Sequence, residues 1–280
     1  MKYGTWAVSS PKNKADVERL RRAGYSPITA AVLCSRGYDT PELAREFLAC
    51  DRPLSDPFEL LDMEPARARV QRALDKKEHI CVFGDYDVDG ITATCLMTEF
   101  LRGLGGHVTS YIPARLEEGY GLNPLAIDTL KKQGVQLIVT VDCGITANAE
   151  AALCRELGID LVITDHHECK TALPEAAAIV DPHRPDQTPG PLHELAGVGV
   201  AFKLACAIGG DQAALLDRFS DLLCLGTVAD VMPLTGENRT MVARGLAALA
   251  KPRRVGLAAL MAECCTDRCS LGWVCSRRFA

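Results

Sequence analysis

The chain of 280 residues contains no apolar run approaching the roughly 18–20 residues that a membrane helix requires, so no membrane association is expected. Its first residues, Met1-Lys2-Tyr3-Gly4-Thr5-Trp6, lack the apolar core of a signal peptide, which makes a cytoplasmic location the expectation. Only two Trp are present, and no basic stretch is longer than doublets such as Arg253-Arg254 and Arg277-Arg278. General binders of the nucleic-acid backbone are usually basic, whereas the formal charge here is −5. Charge nevertheless leaves the partner open, because an acidic metal site recruits cations that then meet phosphate. Also missing is any C-x-x-C pair among Cys264, Cys265, Cys269 and Cys275, or any nearby His, so the tail is not expected to hold zinc. There is no internal repeat and no low-complexity segment.

What is present is an ordinary globular composition, 48% apolar, at a length that suits one large domain or a domain with an appendage. Thirteen cysteines would suggest disulfides in a small secreted domain, but most stand alone in apolar contexts. Cys81, Cys95, Cys143, Cys206 and Cys224 read as small buried hydrophobes.

The strongest chemical signal is Asp85-Tyr86-Asp87-Val88-Asp89-Gly90, directly after the apolar run Ile80-Cys81-Val82-Phe83-Gly84. Three alternate carboxylates repel one another unless a cation neutralises them. Oxygen-only ligands favour Mg²⁺ or Mn²⁺ over a thiolate zinc site. An EF-hand would need a Glu at the twelfth position, which is Leu96 here, and an entering helix rather than a strand-like run. A solvated acidic loop is the remaining alternative.

Residues 1–60 show helix-type periodicity in Ala15–Ala23, Ile28–Ser35 and Pro41–Leu48, the last with Thr40 as N-cap and Pro at the first helical position. They are expected to form a helical appendage. From Pro65 onward, short β-like runs (Ile80–Phe83, Val108–Ile112, Leu137–Val141, Leu161–Thr164, Ala178–Val180) alternate with helical ones (Ile91–Leu104, Pro124–Lys132, Thr146–Leu157) and a short turn near Leu173–Ala176. That alternation predicts an α/β fold with a doubly wound parallel sheet. Leu195–Ile208, Ala213–Leu225 and Thr240–Ala250 read as a helical C-terminal end, placing the main domain at 61–250 and a linker or tail at 251–280.

Polar clusters sit just past the predicted strands: the Asp85–Asp89 set, Asp142-Cys143-Gly144, Asp165-His166-His167-Glu168 and Asp181-Pro182-His183. Ligands bind at that edge of open α/β sheets. Each cluster has a plainer reading. Asp142 could cap the following helix, Asp181-Pro182 could start a turn, and Asp230 follows a helix unremarkably. Together they supply carboxylates and imidazoles for two metals, the arrangement that hydrolyses phosphoesters.

In that order, Gly84–Gly90, Val141-Asp142-Cys143-Gly144, Thr164-Asp165-His166-His167 and Gly226-Thr227-Val228-Ala229-Asp230 resemble the four motifs of the DHH phosphoesterases. Within that family the chain resembles the RecJ-type branch from about residue 25 to about 260. Tyr111-Ile112-Pro113-Ala114-Arg115, Glu118–Leu122, Asp181–Pro185, Arg36-Gly37 and Phe47-Leu48 support the likeness. The resemblance implies a 5′-to-3′ single-stranded-DNA exonuclease of DNA repair and recombination, using two Mn²⁺ or Mg²⁺ ions. It further implies a single-stranded-DNA-binding protein and a helicase as partners.

Carried over by resemblance, Asp87 and Asp142 would bind one metal, and Asp89, Asp142, His166 and Asp230 the other. His167 would face the scissile phosphate, Asp85 and Asp165 would support, and Arg115 would be either a phosphate contact or a solvated loop arginine. Some relatives carry a metal-binding His where this chain has Phe83, a difference that favours the RecJ-type branch. Further domains expected of that branch are not in the chain, and its Cys- and Arg-rich end reads as a truncated or frame-disrupted product. Two other functions stay open: a DHH phosphodiesterase for short oligonucleotides or cyclic dinucleotides, and a catalytically silent scaffold.

Overall fold

In the computed structural model, which describes residues 11, 13–169 and 172–264, five apolar segments pair into one parallel sheet. They are β1 (His79–Gly84), β2 (His107–Tyr111), β3 (Leu137–Val141), β4 (Asp160–Thr164) and β5 (Ala178–Val180), in the order β2-β1-β3-β4-β5. All pairings are parallel, with Phe83 opposite both Tyr111 and Thr140, and Val141 opposite Thr164. The central strands are mostly apolar, with only Thr140 and Thr164 as buried polar residues in β3 and β4, because both faces are covered. Ile80, Val82, Leu137, Val139 and Val162 point into one core layer, and Cys81, Phe83, Ile138, Leu161 and Ile163 into the other. That is the alternation a pleated strand imposes.

The first layer is closed by α4 (Met63–Asp75), α5 (Val88–Gly103), α8 (Gly197–Gly209) and α9 (Gln212–Ala229), and the second by α6 (Pro124–Lys132) and α7 (Asn148–Glu156). Helix α10 (Gly236–Leu249) packs on α9, and Leu257 and Met261 of α11 (Val255–Cys264) join the cluster between them. The stretch read as linker or tail thus begins with a helix whose preceding residue, Arg254, bridges Glu99 and Asp221.

The chain divides into two compact units, residues 1–53 and 54–280. The smaller holds α1 (Lys14–Arg22), α2 (Pro27–Ser35) and α3 (Pro41–Ala49), capped by Asn13, Ser26 and Thr40. Leu20, Ala30, Leu33 and Ala44 form its own core, with Tyr38 stacked on Phe47. Leu54 and Leu60 belong to the core of the larger unit.

Several boundaries differ from the expectation. Helix α5 starts at Val88 rather than Ile91 because Asp87 caps it, accepting from the Gly90 N–H at 2.9 Å. Helix α7 starts two residues late, and its N-cap position, Ala147, offers no side-chain cap. No turn of helix forms at 172–176, where the chain runs straight into β5 while Leu173 and Ala176 pack on the second core layer. The features at Met1–Trp6, and those at Cys265, Cys269, Cys275 and Arg277-Arg278, lie outside the described residues.

Candidate metal centre

The strand order places β1 between β2 and β3, so the crevice at the carboxyl ends of β1 and β3 is the switch point of the sheet. The turns after β1, β3, β4 and β5 all converge there. Asp85 is buried, Asp87 is the cap of α5, and Asp89 lies in the first turn of that helix, also buried. The Asp89 carboxylate accepts from the backbone N–H groups of Gly197 (2.6 Å) and Val198 (3.0 Å) at the start of α8. A helix N-terminus stabilises negative charge, which compensates for burying this one.

After β3, Asp142 sits in the left-handed region at φ 61°, its N–H donating to the Thr164 carbonyl at 3.0 Å. For a residue with a Cβ this conformation costs about 1 kcal/mol or more, and such strain clusters at functional sites. Helix α7 begins only at Asn148, and Asp142 does not cap it. The Asp142 Oδ1 is buried and accepts no hydrogen bond, while His166 Nε2 lies 3.1 Å away. The same His166 nitrogen is 3.6 Å from Asp230 Oδ2 and 3.8 Å from Asp89 Oδ2. Asp230 reaches the site as the C-cap of α9.

Three sets of ligand atoms lie within 4.8 Å of one another: Asp85, Asp87 and Asp142; Asp89, His166 and Asp230; and Asp142, His166 and His167. Asp142 thus stands at the junction between a carboxylate-only cluster and a His-containing one. Asp85, anticipated as a supporting residue, lies within ligand reach beside Asp87. His167 is similarly close to Asp142.

Asp165 is occupied by protein donors. Its Oδ1 accepts from the N–H of His166 (2.8 Å) and of His167 (3.3 Å) and from His167 Nδ1 (2.7 Å), and its Oδ2 from the Ile145 N–H (2.9 Å). Burial alone would raise the Asp165 carboxyl, but the His167 hydrogen bond and charge, with these amides, hold it below the usual carboxylate range. In return the hydrogen bond that His167 donates to Asp165 lifts His167 to about 9. Burial, then the carboxylates of Asp87 and Asp165, push Asp142 up to about 9. Burial and the Asp142 charge raise Asp89 as well, and burial raises Asp85 and Asp230.

Arg115 is not part of these clusters. It is exposed, with its guanidinium 5.0 Å from the centre of the Tyr86 ring. Tyr86 meets Tyr120 edge-on at 6.3 Å, and Tyr120 meets His167 at 6.1 Å, so an aromatic row joins the arginine to the site. Phe83 is fully buried and stacks on Tyr111 at 5.3 Å, so this position is filled by core packing.

The motifs do not reveal the amides of α8 or Gly197; Gly226, the other glycine of close approach, opens the fourth motif. A Cβ on Gly197 would stand 2.4 Å from Asp142 Oδ1, and one on Gly226 would stand 2.5 Å from Asp89 Oδ1. For the α8 amides and Gly197, the run Ala196-Gly197-Val198-Gly199 is the only trace in the sequence. Asp181 is buried, its Oδ1 accepting from the His183 N–H at 2.7 Å.

The donor set fits a hard divalent cation. It is made of carboxylate oxygens and imidazole nitrogens, and the buried Asp85 Oδ1 and Asp142 Oδ1 have no hydrogen-bond partner. The neighbouring Cys143 thiol turns away and donates to the Phe83 carbonyl.

Residues 79–227 match the model of the DHH family, N-terminal domain. The chain is 44% identical over 257 residues to the single-stranded-DNA-specific exonuclease RecJ of Bacillus subtilis (strain 168), a match covering 91% of this chain and 32% of that protein. RecJ of Thermus thermophilus in complex with Mn²⁺ superposes with a TM-score of 0.75 at 32% identity, over 91% of this chain and 36% of that one. The Mg²⁺ complex of the same protein gives a TM-score of 0.63 at 29% identity, over 91% and 33%. The chain spans about a third of the length of these relatives.

Proposed function

This chain belongs to the DHH family, and on that premise we propose that it hydrolyses phosphodiester bonds of single-stranded DNA from the 5′ end. The observation that carries the reading is the position of Asp142 between the Asp85/Asp87 carboxylates and the Asp89/His166/Asp230 set. Asp87 and Asp142 would hold one Mn²⁺ or Mg²⁺, with Asp85 in reach, and Asp89, Asp142, His166 and Asp230 the other. Such a pair of cations neutralises charge building on the phosphoryl oxygens and acidifies the attacking water.

The protein's own groups do the rest. Asp165 fixes the His167 ring with the proton on Nδ1 and favours the protonated imidazole, whose Nε2–H would donate to a phosphoryl oxygen. Arg115, held over Tyr86, would meet a second phosphate, and the Tyr86 and Tyr120 rings offer faces for base stacking. A single-stranded-DNA-binding protein and a helicase would be partners of such an activity.

The test is digestion of 5′-labelled single-stranded DNA with Mn²⁺. Release of labelled mononucleotide is the expected result, and an intact label with a correctly folded, metal-loaded chain would refute it. The net charge of −5 favours a second reading, hydrolysis of short oligonucleotides. A rate that rises as the substrate shortens would select it.

A further inference from the structure

The turn Asp181-Pro182-His183 has no part in the mechanism above, yet it grips the His166-His167 pair. The peptide unit joining those two histidines is held at both ends. Its N–H, on His167, donates to Asp165 at 3.3 Å, and its carbonyl, on His166, accepts from His183 Nδ1. A carbonyl only accepts, so the His183 ring carries its proton on Nδ1.

The turn behind that ring is anchored several times over. The His183 N–H donates to Asp181 Oδ1, and the ring packs edge-on against His193 with centroids 4.4 Å apart. The next residue, Arg184, is buried and donates to Asp62 Oδ2 (2.8 Å), to the Ile179 carbonyl (2.6 Å) and through a two-pronged contact to Asp186. Asp62 also accepts from the Ile179 N–H, which ties the turn to both β5 and α4. Rotating the shared peptide plane would re-aim both imidazoles at once, and His166 Nε2 must stay between three carboxylates.

Building on the metal-centre reading, we propose that His183 is a positioning residue: its Nδ1–H locks the His166 carbonyl and so sets the aim of His166 as a ligand. Groups that orient a ligand in this way are typically worth about 10–100-fold in metal affinity.

The test separates the donor from the ring. His183→Phe keeps an aromatic ring against His193 and loses the donor, whereas His183→Asn keeps an N–H near the position of Nδ1 and loses the ring. Mn²⁺ titration calorimetry on the full chain, with thermal melts alongside, should show weaker binding by about tenfold or more in His183→Phe. His183→Asn should bind close to wild type despite a lower melting temperature. Should His183→Phe misfold, His183→Leu removes the donor equally.

Wild-type affinity in the variants without a donor would overturn the proposal, as would affinity that simply follows stability. A wild-type chain that binds no Mn²⁺ would instead overturn the metal-centre reading, and the proposal with it.

Discussion

His166 and His167 are neighbours in sequence with different surroundings. The His166 ring lies among Asp89, Asp142 and Asp230, whereas His167 is half-exposed and tied through Nδ1 to Asp165. His166→Ala is therefore expected to weaken Mn²⁺ binding, and His167→Ala to leave it largely intact while slowing turnover. Equal loss of affinity in both, measured by calorimetry, would contradict that division. The crowded carboxylates also set a pH dependence. Asp142 near 9 and His167 near 9 both bind protons more tightly in the folded than in the unfolded chain, where they titrate near 4 and 6.5. The stability they contribute is complete below those unfolded values and is lost as pH rises through about 9. Melts in chelator should fall between pH 6.5 and 9, and Mn²⁺ should raise the melting temperature more at pH 8 than at pH 5.5. A chelated protein that grows more stable over that range would refute the carboxylate crowding. Most side chains of this site were legible because three of the four motifs pair a β-like run with acidic or imidazole groups. Asp230, at the end of a helix, was legible only through the resemblance. The α8 amides were not, because a backbone N–H has no signature in sequence and Gly197 lies 108 positions from Asp89.

Helix α9 carries a liability at its end. Asp230 is its C-cap, and Val231 follows at φ 59°, with its N–H on the Val228 carbonyl and the Met232 N–H on Thr227. This closing motif normally takes glycine at that position, yet here it holds a β-branched residue that is 85% exposed. Val231→Gly should relieve about 1 kcal/mol of backbone strain, net of the entropy glycine adds to the unfolded chain. A rise of roughly 2–4 °C in melting temperature is expected, and a fall would show that the Val231 side chain supports the fold. Elements with clear periodicity and caps, such as α3 behind Thr40 and the five strands, could be read directly. Helix α4 was not read although Asp62 and Pro65 stand where helix-start residues do; in the fold Asp62 spends its side chain on Arg184 and Ile179 rather than on capping. Helix α11 is apolar on most sides and packs against other helices, so it has little periodicity to detect.

For the molecule as a whole, the parallel sheet followed from strand–helix alternation, but the order β2-β1-β3-β4-β5 did not, since non-local pairing is decided by packing. Holding a long DNA strand takes backbone contacts and base stacking over several nucleotides. With a net charge of −5, two Trp and no basic stretch beyond doublets, the chain should bind long single-stranded DNA weakly. Fluorescence anisotropy with a labelled oligonucleotide in Ca²⁺, at stated salt, measures this, and tight binding would show that this portion alone grips the strand. The central claim, that two cations share Asp142, is tested most directly by Mn²⁺ calorimetry on wild type and Asp142→Ala. About two ions per wild-type chain and weakened binding at both sites in the variant are predicted. An Asp142→Ala chain that keeps full two-site binding would contradict it.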